Sequence, residues 1–585
     1  MKKRSSLILL VNSLAIISAF LIFQNKNISD RVIIAGATIL PMSSDNAEIE
    51  AVLVDKGIIA AVGDLKELRE ANEDAEIIER AGQTILPGLI EPHTHPLASA
   101  LLGATVDVSG FTHPNRISVI SALKDAADGM GISPWLIAYG WDAAAVEDLE
   151  RPSLEELDQI SPERPMIILT QMMHEAYVNT AALSAVGIDP TDTNQTVHDG
   201  FVRNQNGTLN GTIREIDALG IMFEKIPPAP DSATELLLRL QYNKYAKAGY
   251  TSIGIPGVVG RHSDAIGLVK KVADRKASPL RSYLYLLKAQ IKEMELGGSN
   301  DFKILGMKFW MDGSPYTGGA AVDAPYENNK FTIERLGIPA NHKGTLNFSP
   351  ADLQSMISDY HAKGYQIAAH VQGERAARSV IDAISKAQKD NPNPSLRHRL
   401  EHNALITDEL LARAKNLNIS VGFFVDHLTY YGDTLPKIFG DDRMARYMPV
   451  KSAFDKGLIV TLHGDHPSTP INPFRTLQTA TTRQSRSGQS ISGKDEKISI
   501  YQALQAMTIN AAHQLGQGAE IGSIEIGKRA DFTFLSADPL TMAPETLHTI
   551  EALETWKDGQ PVDTSSINWK NIKLGFNTLI GILSR

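Results

Sequence analysis

Two histidines, one residue apart, close an apolar stretch: Ile85-Leu86-Pro87-Gly88-Leu89-Ile90-Glu91-Pro92-His93-Thr94-His95. In extended backbone, residues i and i+2 face the same side, so the pair predicts two imidazoles offered to one cation. Neutral imidazole suits zinc and its neighbours in the first transition row. Four other apolar stretches carry matching groups. Lys308 sits within Leu305-Gly306-Met307-Lys308-Phe309-Trp310, where an ammonium is costly unless its charge is removed or paired. Reaction of the amine with carbon dioxide, giving a carbamate able to bridge two cations, is one remedy; pairing with an acid such as Asp312 is the other. His370 ends Gln366-Ile367-Ala368-Ala369-His370, and His402 closes Arg397-His398-Arg399-Leu400-Glu401-His402. Both are candidate ligands, with His398 outside the ligand set and Glu401 orienting a ligand or balancing a charge. In Leu462-His463-Gly464-Asp465-His466-Pro467, His463 and His466 compete for the role. Only the Asp465 carboxylate has one oxygen for a metal and another for a proton taken from water. His113, His198, His262, His342, His361 and His548 lie in turn-like or surface-like contexts and, with His513, are assigned structural or solvent-facing roles.

These groups need a frame that brings strand ends together. Between Thr84 and Leu515, helix-like stretches repeatedly precede short apolar strands. In Ser349-Pro350-Ala351-Asp352 a serine caps, proline takes the first helical position and an acid follows three residues after the serine. That helix is expected to run to Ala362 and to end at Gly364, before the strand leading into His370. Helix 408–415 before strand 419–424, and Phe454-Asp455-Lys456-Gly457 before 458–462, repeat the unit. Such alternation predicts an α/β barrel with its chemistry at the strand exits; an open doubly wound sheet is the alternative. Short β-type pieces at 32–35, 38–40, 49–54 and 57–63, then at 530–535 and 553–559, predict one small β domain assembled from both chain ends. The tail from Ser565 to Arg585 reads as a final strand or a short helix.

Composition narrows the partners. The 585 residues carry 57 Lys+Arg against 67 Asp+Glu, a net charge of −10, which excludes the positive field of a nucleic-acid binder. Cysteine is absent, leaving His, Asp, Glu and Ser for metal and acid–base work. Met1-Lys2-Lys3-Arg4 followed by an apolar run from Leu7 to Phe23 has the layout of an export signal or an N-terminal membrane anchor. The chain is therefore expected to be periplasmic, or membrane-anchored and facing the periplasm.

Pro92-His93-Thr94-His95, Lys308 with Asp312-Gly313-Ser314, His370 with Gly373, Glu401-His402 and Gly464-Asp465 together resemble the metal-dependent amidohydrolase superfamily, in particular its amidohydrolase-3 group. Thr508-Ile509-Asn510-Ala511-Ala512, followed by Gly522-Ser523-Ile524-Glu525-Ile526-Gly527-Lys528-Arg529-Ala530-Asp531, strengthens the likeness. The resemblance implies a (β/α)8 TIM barrel over 84–515 and a composite β-sandwich from 31–83 and 516–585, with 1–30 as signal or anchor. It implies one or two divalent cations, zinc foremost. His93, His95 and Asp465 would hold the more buried ion, His370 and His402 the second, and carboxylated Lys308 would bridge them. A segment like His174 to Asn179 and an acid like Glu215 would shape the substrate pocket. Where many relatives have Gln-Pro-x-His, this chain has Phe424-Val425-Asp426-His427, so substrate contacts do not transfer; Tyr430, Tyr431 and Trp310 hint at an aromatic wall or pack in the core. The implied activity is hydrolysis of a small, non-peptide amide such as an N-acyl or N-formyl compound. Asp465 would serve as general base and acid, and His427 or His174 would stabilise the oxyanion. Deamination, cyclic imide or amidine hydrolysis, and a non-catalytic metal-binding regulator are the alternatives. Homo-oligomerisation is left open.

Overall fold

Runs of buried residues too short for helices line up side by side as parallel strands: β1 Leu89–Glu91, β2 Tyr250–Pro256, β3 Arg281–Leu287, β4 Phe302–Trp310, β5 Gln366–Val371, β6 Arg399–His402, β7 Ser420–Phe423 and β8 Val460–Leu462. They neighbour one another in sequence order in this computed structural model, which describes residues 28–43, 49–129, 133–260, 262–275, 277–293, 295–489, 493–565 and 569–583. Every residue of β2 and β5 is buried, as expected of parallel strands covered on both faces. Strands β1 and β8 form no ladder, but hydrogen bonds at and past their ends bridge the gap. The His95 N–H donates to the His466 carbonyl at 3.0 Å, and the Gly464 N–H to Glu91 Oε2 at 3.0 Å. The result is a nearly closed parallel barrel, a TIM-barrel-like α/β fold, and not the open sheet.

The connecting helices form where the sequence places them. Pro350–Ala362 starts with Ser349 Oγ accepting from the Asp352 N–H at 3.2 Å and buries Leu353, Met356, Ile357 and His361, one stripe of a 3.6-residue period. It stops at Gly364, whose φ of 82° admits glycine at no steric cost.

Two smaller sheets lie outside the barrel. One orders its strands as Ile58–Gly63, Ala51–Asp55, Arg31–Ala35, Glu76–Glu79; the other as Thr38–Ile39, Thr84–Pro87, Phe532–Leu535, Ala552–Lys557, Gln560–Pro561. Residues from both chain ends share one apolar cluster containing Val32, Ile34, Val52, Ile85, Phe532, Phe534 and Trp556. The chain leaves this sheet for β1 across Gly88, where a Cβ would fall 2.2 Å from Thr251 Oγ1.

A third sheet, between β1 and β2, is not separated from the barrel by sequence periodicity, because its strands and helices alternate in the same way. Its strands run in the order Phe201–Arg203, Leu209–Arg214, Glu175–Val178, Met166–Thr170, Leu136–Trp141, Val106–Asp107, with a separate apolar cluster on each face. Gln171 Nε2 fastens it to the loop after Asp465, donating to the Pro467 and Ser468 carbonyls at 3.0 and 3.1 Å. The tail forms a helix, Trp569–Leu583, not a strand, and Thr578 Oγ1 lies 3.1 Å from Ser232 Oγ on helix Asp231–Lys247. The expected export segment falls almost wholly in residues 1–27, outside the described residues. Among the described residues, no helix is long and apolar enough to cross a membrane.

Candidate metal centre

The His93-Thr94-His95 segment lies past the end of β1, not within a strand, and His95 is the residue before the helix Pro96–Leu102. The rings therefore do not project in parallel; their planes are 84° apart with centroids 5.5 Å apart. They still converge on one atom. His93 Nε2 is 3.5 Å and His95 Nε2 3.4 Å from Asp465 Oδ1. Donors bound tetrahedrally to an ion at about 2.1 Å stand roughly 3.4 Å apart, so this spacing fits a shared cation. His402 joins them: ligand atoms of His93, His402 and Asp465 lie within 4.8 Å of one another. The His370 ring is 4.4 Å from that of His402.

Their chemistry supports the same reading. His93 Nε2, His370 Nε2, His402 Nδ1, Lys308 Nζ and Asp465 Oδ1 are buried with no hydrogen-bond partner among the described residues, although buried polar atoms are nearly always paired. Burial pushes the three imidazoles well below their ordinary range, which keeps their lone pairs free. Burial would raise Asp465, but His93 and then His95 outweigh it and hold the carboxyl far below the usual range. Burial brings Lys308 down to about 8 against the pull of Glu401 and Asp465. A neutral amine is the form that can attack carbon dioxide. These residues fit a divalent first-row cation.

Lys308 does not pair with Asp312. That carboxylate accepts backbone N–H groups from Ala321, Gln372 and Gly373, each at 2.9 Å, and ties together the loops after β4 and β5. Burial pushes it up to about 7 despite those bonds.

Backbone geometry aims the candidate ligands. His402 and Asp465 have φ of 73° and 48°, in the left-handed region that few non-glycine residues adopt; such outliers concentrate where a site over-determines them. Glu401 Oε2 lies 2.6 Å from His93 Nδ1, so Nδ1 carries the hydrogen and Nε2 faces Asp465 with its lone pair. Glu401 is gripped by the Arg399 guanidinium, whose Nη2 also donates to the Pro92 carbonyl at 2.9 Å. Burial would raise the Glu401 carboxyl, yet Arg399 takes it below its ordinary value.

Arg399 and Glu91 are the supports that sequence reasoning missed. Glu91 accepts from the His93 N–H at 3.2 Å and the Gly464 N–H at 3.0 Å, so one carboxylate positions both ligand segments. The available signal was an acid at an apolar strand end and an Arg-x-Glu pair on one strand face.

Of the residues assigned to the pocket, His427 is buried against Phe424, with ring centroids 4.1 Å apart, and burial pushes it down to about 3. His174 directly precedes the third-sheet strand Glu175–Val178, with Nδ1 3.1 Å from Glu215 Oε2. Asn179 works within that sheet instead, accepting from the Met166 and Ala182 N–H groups. Tyr431 packs against Tyr316, with ring centroids 4.3 Å apart, and donates to Asp142 Oδ2 at 2.6 Å. Tyr430 packs on Phe111, and Trp310 lies with its ring centroid 5.3 Å from Lys308 Nζ.

Comparison with known proteins identifies the family. YtcJ of Bacillus subtilis (strain 168) is 26% identical over 551 residues, covering 90% of this chain and 98% of YtcJ. The N-substituted formamide deformylase of Arthrobacter pascens is 27% identical over 545 residues, 90% of this chain and 97% of its own. An uncharacterized metal-dependent hydrolase from Pyrococcus horikoshii OT3 shares the fold, with a TM-score of 0.70 and 20% identity over 88% of this chain and 99% of its own. With residues 76–563 matching the model described as "Amidohydrolase family", the chain belongs to the amidohydrolase family, metal-dependent hydrolases that act on carbon–nitrogen bonds.

Proposed function

We propose that the chain hydrolyses the C–N bond of a small non-peptide amide, an N-formyl or N-acyl amine. The convergence of His93 Nε2 and His95 Nε2 on Asp465 Oδ1 carries this reading. The substrate class is supported by the likeness to a formamide deformylase along 90% of the chain. His93, His95 and Asp465 would hold one zinc ion and His370 and His402 a second, with the Lys308 carbamate (formed from the free amine and carbon dioxide with loss of a proton) between them. Such a cation supplies Lewis acidity, polarising the carbonyl and acidifying water.

The side chains supply the rest. Asp465 takes the proton of the attacking water and returns it to the leaving nitrogen, which departs as an amine and not as a strongly basic anion. His427 donates to the oxygen on which charge develops. Its Nδ1 lies 3.4 Å from the Tyr447 hydroxyl, and with that hydroxyl as donor the N–H sits on Nε2. His174 is the other candidate for this role, but its Nδ1 is engaged by Glu215.

A panel of N-formyl and N-acyl amines tests the proposal. Turnover that is lost on chelation and restored by zinc is the expected result. A folded, zinc-loaded chain inert to the whole panel would overturn the assignment.

The two small sheets that share a core are read as one composite β-sandwich of segments 31–83 and 516–585 around the barrel at 84–515. The basic start and apolar run to Phe23 support export, cleaved or anchored, into the periplasm. Cell fractionation of the full chain checks it.

A further inference from the structure

His463 immediately follows β8, two residues before Asp465, and its side chain is 1% exposed. The ring lies between two others. It stacks on His93 at 4.7 Å and 19°, and on Phe424 at 5.3 Å and 27°. His402 meets it edge-on at 5.0 Å. With these neighbours around it, the imidazole cannot swing away without disturbing the centre.

Neither ring nitrogen has a hydrogen-bond partner among the described residues. Leaving both nitrogens of a buried imidazole unpaired is costly, and packing alone does not account for a polar ring where leucine or phenylalanine would serve. One of those nitrogens belongs to a second cluster of ligand atoms, from His93, Glu401 and His463, all within 4.8 Å of one another. Glu401 is already engaged by Arg399 and His93, which leaves His463 as the free donor of that cluster.

We propose that His463 is a further imidazole ligand of the metal centre, stacked on His93. The inference rests on the metal-centre reading above and adds a nitrogen donor to the six groups assigned there. More imidazole favours zinc, cobalt or nickel over magnesium or manganese. The chain is therefore expected to select the former group.

Zinc titration and the visible spectrum of the cobalt(II) form, both on the full chain, test this without reference to turnover. His463→Phe keeps a ring between His93 and Phe424 but removes both nitrogens. It is expected to lose more zinc affinity than the roughly 10- to 100-fold that removing an outer partner costs, and to shift the cobalt spectrum. Should His463→Phe fail to fold, His463→Ala with added imidazole replaces it, and the small molecule is expected to restore the spectrum. A folded variant with the wild-type cobalt spectrum and a loss of affinity no greater than an outer partner's overturns the proposal while the centre stands. A wild-type chain that binds neither zinc nor cobalt overturns the centre itself, and this inference with it.

Discussion

One strand carries a buried histidine at each end, and the two are treated differently. His398, just before β6, has both nitrogens engaged: Nε2 lies 2.8 Å from His361 Nδ1, and Nδ1 accepts the Ile367 N–H at 3.0 Å. His361 finishes the chain on the Asn391 carbonyl at 2.7 Å. His402, at the exit of the same strand, is as deeply buried, yet its Nδ1 is unpaired among the described residues. Burial pushes both imidazoles down, so burial and neutrality do not separate them. Satisfaction does. At His398 the hydrogen bonds close within the fold; at the barrel mouth several donors stay open together, as a site for an additional group would require.

The largest effect that would test this contrast comes from the mouth. Asp465→Asn keeps an oxygen for the ion but cannot take a proton, so metal content should persist while kcat falls by about 10²- to 10⁴-fold, the usual contribution of a general base. Metal analysis and kinetics on one preparation measure both. Undiminished turnover would remove Asp465 from proton transfer.

Glu401→Gln acts one step further out. The imidazole of His93 loses its charged partner, and zinc affinity should fall roughly 10- to 100-fold. Arg399 is left buried beside a neutral amide, so the melting temperature should drop as well. Unchanged zinc affinity in the folded variant would mean that the Glu401 contact with His93 does nothing for the ion.

Much of the mouth was legible because barrel topology gathers strand ends wherever the sequence places them. His93, His95, His370, His402 and Asp465 could be named as candidates from residue type and position, and the family resemblance grouped them into one set. Side-chain direction beyond a strand end could not. His93 and His95 project from a turn bounded by Pro92 and Pro96, and their convergence depends on Glu401, Glu91 and Arg399, which come from other segments or from the opposite face. The pairing of Lys308 with Asp312 looked reasonable by proximity along the chain, but three backbone N–H groups, one from farther along its own loop and two from the loop after β5, capture that acid. The sheet between β1 and β2 was illegible for a different reason: hydrophobic period distinguishes strand from helix, not one sheet from another.

At the quiet end of β6 the expected effect is smaller and falls on stability. His398→Leu leaves the Ile367 N–H and His361 without their partner, which should cost about 1–3 kcal/mol while zinc affinity stays at the wild-type value. Its pH dependence is specific. Burial first, and then His361 beside it, bring His398 from 6.5 down to about 3. Below about 6.5 the unfolded chain takes up a proton that the folded chain refuses until about 3. The wild type therefore loses stability as pH falls through that window, by up to about 1.4 kcal/mol per pH unit from this group, and the leucine variant does not. Urea midpoints of the metal-stripped proteins at pH 7 and pH 5 should show the gap between wild type and variant narrowing in acid. A gap of constant width would mean that His398 is not held neutral, and burial would then have different consequences at the two ends of the strand.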